Sequence, residues 1–361
     1  MNLNVLHWSY RDLKVFPAEV QTASDSVEEI YLKENFIETL PLWLFQMTNL
    51  KFIHLTGNLI DEIPADIQCL VNLEFLDVSK NRLKEIPSTI GALSKLKCLN
   101  VSENEISSIP RQIGFLRNLE ALDASKNLLA VVPNELGNCI NLLEINLRGN
   151  HLLTEIPSRV YALCKLIYFD VNNCGLSYLP YVVGARLVHV RAFDNQKLTH
   201  IPIVYEKFLQ PWMEPLPIYC PLLNIQKDFL VKVFSPTENR WFNLPRGVID
   251  IHKREHRIPF TLFELCIRKI YTNFWGPILD NLLAELVPRI ILYYIKMGPI
   301  GHCGNGFCSN PIFKDCHFLL LKKLQNPSGV VFSAIFCSKD CADFWISKFR
   351  NMYREIDWMV C

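Results

Sequence analysis

The chain has 361 residues, 37 Lys plus Arg against 36 Asp plus Glu, and half of its residues are hydrophobic. A net charge of +1 with 20% charged residues excludes a protein built to neutralise nucleic-acid phosphates, and equally excludes wholesale disorder. Neither a secretory signal nor a membrane helix is expected: the first ten residues hold no basic region before an apolar stretch, and no apolar run reaches roughly 18 residues. The 13 cysteines are odd in number and scattered singly through the first half, so reduced thiols in cytoplasm or nucleus are expected.

From the N-terminus, an apolar-Pro dipeptide returns at Pro17, Pro41, Pro64, Pro87, Pro110, Pro133, Pro157, Pro180 and Pro202, at gaps of 22 to 24 residues. Upstream of the prolines a frame L-x-x-L-x-L-x-x-N-x-L recurs. Leu50, Ile53, Leu55, Asn58 and Ile60 fill it in one unit, and Leu96, Leu99, Val101, Asn104 and Ile106 in another. The apolar positions point inward from a short strand and its turn, and each unit can bury them only against its neighbours. Asn35, Asn58, Asn81, Asn104, Asn127 and Asn150 recur where the chain must turn, and an amide can serve the next turn as donor and acceptor. Apolar residues at steps of three follow the prolines, as in Ile90, Leu93 and Leu96, and predict a convex helical segment.

This frame resembles the leucine-rich repeat family. The resemblance implies an α/β solenoid, a curved horseshoe with parallel strands on its concave face, over residues 1–205. Arg11 and Cys174 stand in the asparagine slot of two units, and extra residues before Ile156 and Leu198 shift the register. Beyond Pro202 the pattern stops, and the proline-rich stretch 206–225 reads as a cap on the last open turn or as a linker.

On the concave face one column reads Tyr31, His54, Asp77, Asn100, Asp123, Asn146, Asp170 and Arg191. Its neighbour reads Glu29, Phe52, Phe75, Cys98, Ala121, Glu144, Tyr168 and His189. Two readings stand. The face is a mildly acidic groove for a protein target, with Phe52 and Phe75 side by side as anchors, or its Asp and Asn side chains only help the turn. Cys69 and Cys139 are expected as small core residues.

Residues 226–298 lose the period. Two β-rich segments around the turn-forming SPTEN predict a hairpin, and the Leu- and Ile-rich run after Pro259 predicts at least two helices, broken at Gly276-Pro277 and near Pro288. Thr261, Leu262, Cys266 and Ile270 fit a spacing that resembles the elongin-binding helix of a suppressor-of-cytokine-signalling box. The residues at i, i+4 and i+8 share roughly one helix face, so a partner pocket can receive them together. Val287, Pro288, Ile291, Tyr294 and Ile295 resemble its cullin-facing half, although Glu285-Leu286-Val287-Pro288 replaces the doubled Leu-Pro-x-Pro of many such boxes and leaves the cullin type open. The other reading of the first helix is the buried face of an ordinary amphipathic core helix.

The tail, 299–361, holds two cysteine pairs, Cys303 with Cys308 and Cys337 with Cys341. Two short loops that each present two thiolates make a closed tetrahedral zinc site, so structural Zn2+ is expected, with His302, Cys316 or His317 as possible replacements for one ligand. The second pair resembles the Phe-Cys-Ser-x-x-Cys knuckle of certain zinc fingers, where a strand delivers the first cysteine and a helical turn the second. Taken together, repeats, hairpin, the P-x-x-L-x-E-L helix start at Pro259 and cysteine tail resemble small intracellular leucine-rich repeat proteins, leucine-rich repeat-containing proteins 28 and 58 among them.

The chain carries no Gly-rich phosphate loop with its Lys, no G-x-S-x-G elbow and no H-E-x-x-H, so no enzyme is expected. The function expected is a protein-binding receptor that presents a target to elongin B/C and a cullin of a RING ubiquitin ligase. The alternative is a scaffold in Ras-type GTPase or phosphatase signalling with no ligase connection.

Overall fold

Each repeat places one three-residue strand beside the last. In the computed structural model these are β1 (Val5–His7), β2 (Glu29–Tyr31), β3 (Phe52–His54), β4 (Phe75–Asp77), β5 (Cys98–Asn100), β6 (Ala121–Asp123), β7 (Glu144–Asn146), β8 (Tyr168–Asp170) and β9 (His189–Arg191). Among the described residues they form one parallel sheet in chain order. The described residues are 4–17, 26–180, 186, 189–198, 200–202, 204, 230–235, 240–245, 264, 267–268, 301–305, 308, 310–312, 316–324, 331–356 and 359–360. The chain divides into two compact units: Met1–Thr154, Leu163–Gly175 and Gly184–Asp194 in the first, and Glu155–Ala162, Leu176–Val183 and Asn195–Cys361 in the second.

Side-chain alternation explains why three residues suffice. The middle residues Ile30, Ile53, Leu76, Leu99, Leu122, Ile145 and Phe169 are at most 2% exposed, while the flanking residues of each strand point to the opposite face. The strands pair without a slip, so Tyr31, His54, Asp77, Asn100, Asp123, Asn146, Asp170 and Arg191 align as one column and Glu29 through His189 as its neighbour.

A short 3₁₀ turn follows the proline in five units: Leu42–Gln46, Ala65–Cys69, Ser88–Ala92, Arg111–Phe115 and Asn134–Asn138. The repeat leaves room for one tight turn there, and 3₁₀ geometry suits a piece this short. Glycine is required at Gly91 and Gly114, where a Cβ would come within 2.6 Å of the carbonyl oxygens of Gln112 and Glu135 in the next turn. Cys139 is fully buried, and burial pushes its thiol up to about 12. Cys69 is exposed, contrary to the core position expected of it, because it ends its 3₁₀ turn on the outward side while Ile67 takes the buried place.

The asparagines form a ladder. The amide of Asn104 donates to the carbonyls of Val78, Val101 and Ser102 at 3.0 to 3.1 Å, and its oxygen accepts from the Leu83 N–H at 3.0 Å. Asn58, Asn81, Asn127 and Asn150 likewise bond the preceding repeat. The residue before the slot is left-handed, at φ between 51 and 59° for Glu34, Lys80, Glu103, Lys126, Asn173 and Asp194, and glycine fills the place only at Gly57 and Gly149. Where Cys174 replaces asparagine, its thiol donates to the Leu147 carbonyl at 3.3 Å and burial pushes it up to about 11.

In the second unit, α1 (Ser158–Tyr161) is a single helical turn. Its strands are β10 (Ile201–Pro202), β11 (Leu230–Ser235), β12 (Arg240–Pro245), β13 (Gly301–His302), β14 (Pro311–Ile312), β15 (His317–Lys323), β16 (Val331–Phe336), β17 (Tyr353–Glu355) and β18 (Met359–Val360). β11 and β12 pair antiparallel on either side of residues 236–239, with β18 on the far edge of β11. A four-stranded sheet runs β10-β16-β15-β17. β16 is buried along its whole length, and helix α2 (Lys339–Phe349) packs Trp345 among Phe336, Phe349 and Tyr353 at ring-centroid distances of 4.7 to 5.8 Å.

Candidate functional site

Two constellations stand apart from the scaffold. The first is a ribbon of rings at the N-terminal end of the concave face. Register puts His7, Tyr31 and His54 on consecutive strands, and parallel strands bring their rings face to face. His7 stacks on Tyr31 at 4.2 Å and Tyr31 on His54 at 4.3 Å, each at 8° between planes. Phe75 continues the run 4.5 Å from His54, and Phe52 lies 6.4 Å from Phe75. Offset stacked rings attract one another beyond the area they bury. His7 is exposed, and the other four rings are half-buried.

The surroundings of His54 and Tyr31 favour their uncharged forms. Burial, then the positive charge of Lys33, hold the His54 imidazole below its usual pKa, and its Nδ1 is sealed without a hydrogen-bond partner among the described residues. Tyr31 gives its hydroxyl to Glu29 at 3.1 Å; burial and that bond raise its pKa, so it stays protonated.

The acidic column beyond the ribbon is committed to the scaffold. Asp77 accepts from the Ser79 N–H and hydroxyl at 3.0 and 2.6 Å, and Asp123 from those of Ser125 at 2.9 and 2.6 Å. Asp170 caps Asn172 in the same way, takes the Tyr168 hydroxyl at 3.0 Å, and is only 2% exposed. These carboxylates turn their own chain, as Asx residues do. Cys98 and Ala121 follow Phe75 in its column, and burial pushes the Cys98 thiol up to about 11, where it is inert. At the far end Arg191 lies over the Tyr168 ring at 5.5 Å, and His189 and Arg191 are exposed.

The second constellation is a thiol cluster in the second unit. Cys303 follows β13 and Cys308 precedes β14, while Cys337 follows β16 and Cys341 lies in the first turn of α2. Their sulfurs all lie within 4.8 Å of one another. Cys337 Sγ is 3.3 Å from Cys308 Sγ and 3.7 Å from Cys341 Sγ. The Cys337 N–H donates to Cys303 Sγ at 3.4 Å, and the Ser338 hydroxyl caps α2 through the Cys341 N–H at 3.2 Å. His302, Cys316 and His317 stand outside this group of four: His302 is exposed, and His317 belongs to β15 opposite Phe336.

The donor chemistry fits a metal ion. Thiolates around one tetrahedral ion with bonds of about 2.3 Å sit about 3.8 Å apart, close to the spacings here. As free thiols, the hydrogen bond to Cys303 and burial push Cys337 up to about 12, while the same bond lowers Cys303. Four thiolates this close need a cation between them, because like charges oppose joint ionisation.

Beside the cluster lies a buried ion pair that sequence reasoning missed. Glu264, with its side chain fully buried, accepts from Arg268 Nε at 2.7 Å, and Arg268 Nη1 donates to the Cys337 carbonyl at 3.5 Å. Its sequence signal is an i,i+4 acid–base pair inside an apolar run. His7 was also missed, although counting the frame back from Tyr31 reaches it. Thr261, Leu262, Cys266, Ile270, Val287, Pro288, Ile291, Tyr294 and Ile295 lie outside the described residues. Among the described residues no helix is long and apolar enough to cross a membrane.

No curated protein matches the chain. Among solved structures, the ectodomain of the Arabidopsis thaliana receptor kinase GASSHO1/SCHENGEN3, in complex with CASPARIAN STRIP INTEGRITY FACTOR 2, is 29% identical over 46% of this chain and 20% of its own, with a TM-score of 0.42. The Drosophila Toll–Spatzle complex is 26% identical over 53% and 27% at 0.45, and InlJ of Listeria monocytogenes 18% over 55% and 47% at 0.44. The chain thus spans less than half the length of each. Residues 38–142 match the family model described as leucine-rich repeat region, and with the parallel ladder around them the chain carries a leucine-rich repeat solenoid.

Proposed function

We propose that this chain is a protein-binding receptor that holds its target on the concave repeat face, anchored by His7, Tyr31, His54, Phe75 and Phe52. The observation that carries this is the unbroken run of rings at 4.2 to 6.4 Å on a face where Asp77 and Asp123 are spent on turns. Half-exposed aromatic side chains give a partner large apolar area at small rotamer cost, the composition of binding hot spots. The test compares partners captured by the full chain and by a Phe52→Ala/Phe75→Ala variant of unchanged circular dichroism. Loss of the partners supports the reading; their retention contradicts it.

The finer reading makes the chain the substrate receptor of an elongin–cullin–RING ligase, with Thr261, Leu262, Cys266 and Ile270 toward elongin and Val287, Pro288, Ile291, Tyr294 and Ile295 toward a cullin. Its support is the sequence spacing of these two segments alone. Co-expression with elongin B and elongin C tests it. A stoichiometric complex on size exclusion that Leu262→Ala/Cys266→Ala abolishes supports the ligase. Absence of a complex favours the scaffold of GTPase or phosphatase signalling, which uses the same concave face.

Cys303, Cys308, Cys337 and Cys341 hold one structural Zn2+ in this reading, supported by the four-sulfur donor set. A cytoplasmic or nuclear location is part of the same reading, supported by the odd number of cysteines scattered singly through the first half of the sequence. Elemental analysis should find about one zinc per chain. Folded, zinc-free protein would contradict this.

A further inference from the structure

The buried ion pair does not belong to the repeat scaffold, and it ends on the thiol cluster. Glu264 is fully buried and Arg268 nearly so, with side-chain exposures of 0% and 12%. Burying charge is costly unless it is paired and its remaining donors are used. Arg268 is paired, and the pair is tied to the cluster: Nε holds Glu264 at 2.7 Å and Nη1 reaches the carbonyl of Cys337 at 3.5 Å. That residue is central to the cluster. Its sulfur lies 3.3 and 3.7 Å from two of the other three, and its N–H reaches the third, Cys303 Sγ, at 3.4 Å. Fixing the carbonyl of such a residue fixes the peptide on which the ligand turns, the kind of outer-shell contact that orients metal ligands.

We propose that Arg268, held by Glu264, is a positioning residue of the metal site: its guanidinium holds the Cys337 peptide, so that divalent metal binding and the seating of the Glu264–Arg268 pair on the cysteine knuckle form one coupled equilibrium. The inference rests on the metal reading above and deepens it. Coupling of this kind is reciprocal, so the factor by which loss of the clamp weakens metal binding equals the factor by which metal strengthens the clamp. Because Glu264 neutralises Arg268, the pair acts on the site through the hydrogen bond to the Cys337 carbonyl and not through net charge.

The test uses the full chain and Zn2+ in competition with a chromophoric chelator. Glu264→Met/Arg268→Met replaces the pair by apolar side chains of similar length, which spares the fold the cost of a lone buried charge. Zinc stoichiometry should stay the same while affinity falls about ten- to a hundredfold, the usual scale for an outer-shell contact. Arg268→Lys, which can still donate to the carbonyl, should recover part of the loss, and Lys348→Met on exposed α2 should change nothing. Cobalt-substituted protein adds a readout of geometry, since the variant's d–d bands should shift as the Cys337 thiolate tilts. A double variant that holds zinc as tightly as the wild type, with the same cobalt spectrum, overturns the inference and leaves the metal reading intact. A wild-type chain that takes up no zinc overturns both.

Discussion

The two units are held together by different means. In the repeats the bonds that join units reach one unit back or forward: Asn104 bonds Val78, 26 residues earlier, and Leu83, 21 residues earlier, and Lys97 pairs with Glu74, 23 residues away. In the cysteine-bearing unit, Arg268 reaches Cys337 across 69 residues and Cys303 reaches it across 34. A local ladder can lose one rung and keep the rest. A cluster of contacts between distant segments has no such spare rung, so damage should spread differently in the two units.

The largest separation between them should come from the metal. If the four cysteines hold zinc as proposed, Cys337→Ser, or a strong chelator, withdraws a binding free energy on the order of 10 kcal/mol from the second unit. Hydrogen exchange should then rise sharply in β15, β16 and α2 while β2 to β7 keep their protection; equal loss in both units would contradict this. Within the repeats the strongest single break is Asn104→Ala. It leaves the Leu83 N–H and the Val78 and Val101 carbonyls unpaired in the interior, at about 1–3 kcal/mol per orphaned group. Gly114→Ala comes next, since its Cβ would sit 2.6 Å from the Glu135 oxygen, and forced local shifts of this kind cost about 1–3 kcal/mol. Urea midpoints of the full chain rank the two.

Smaller still is a pH effect. Because the folded state holds His54 below its ordinary pKa, the unfolded chain binds more protons as pH falls past about 6.5. Stability of the repeats should therefore decline from there and level off below the folded pKa, and His54→Phe should flatten that slope. Lys97→Gln removes an exposed ion pair to Glu74 and should leave the melting temperature unchanged.

The repeats were legible because periodicity is written in the chain itself. Two concave columns counted from the frame coincide with the strand register, down to Tyr168 beside Glu144 and Arg191 beside Asp170. What composition concealed there was the use of each side chain. For Asp77 and Asp123 the sequence left an acidic groove and a turn role both open, and their bonds to the serines two residues on favour the turn. Cys69 looked like a core thiol because alternation inside a five-residue 3₁₀ turn is too short to count. The second unit offered pairs and segments, the SPTEN hairpin and two cysteine couples, without saying which distant parts meet. The contact of Arg268 with Cys337 has no periodicity to announce it, and it came only from packing.

The measurement that bears most directly on the central claim is paired affinity capture with the full-length wild type and Phe52→Ala/Phe75→Ala, read by quantitative mass spectrometry. Binding through the ring ribbon predicts at least one stoichiometric protein partner that falls at least about tenfold with the variant, since two hot-spot rings commonly contribute more than 1.4 kcal/mol together. An unchanged set of partners, held by a variant with the same melting temperature, would contradict it.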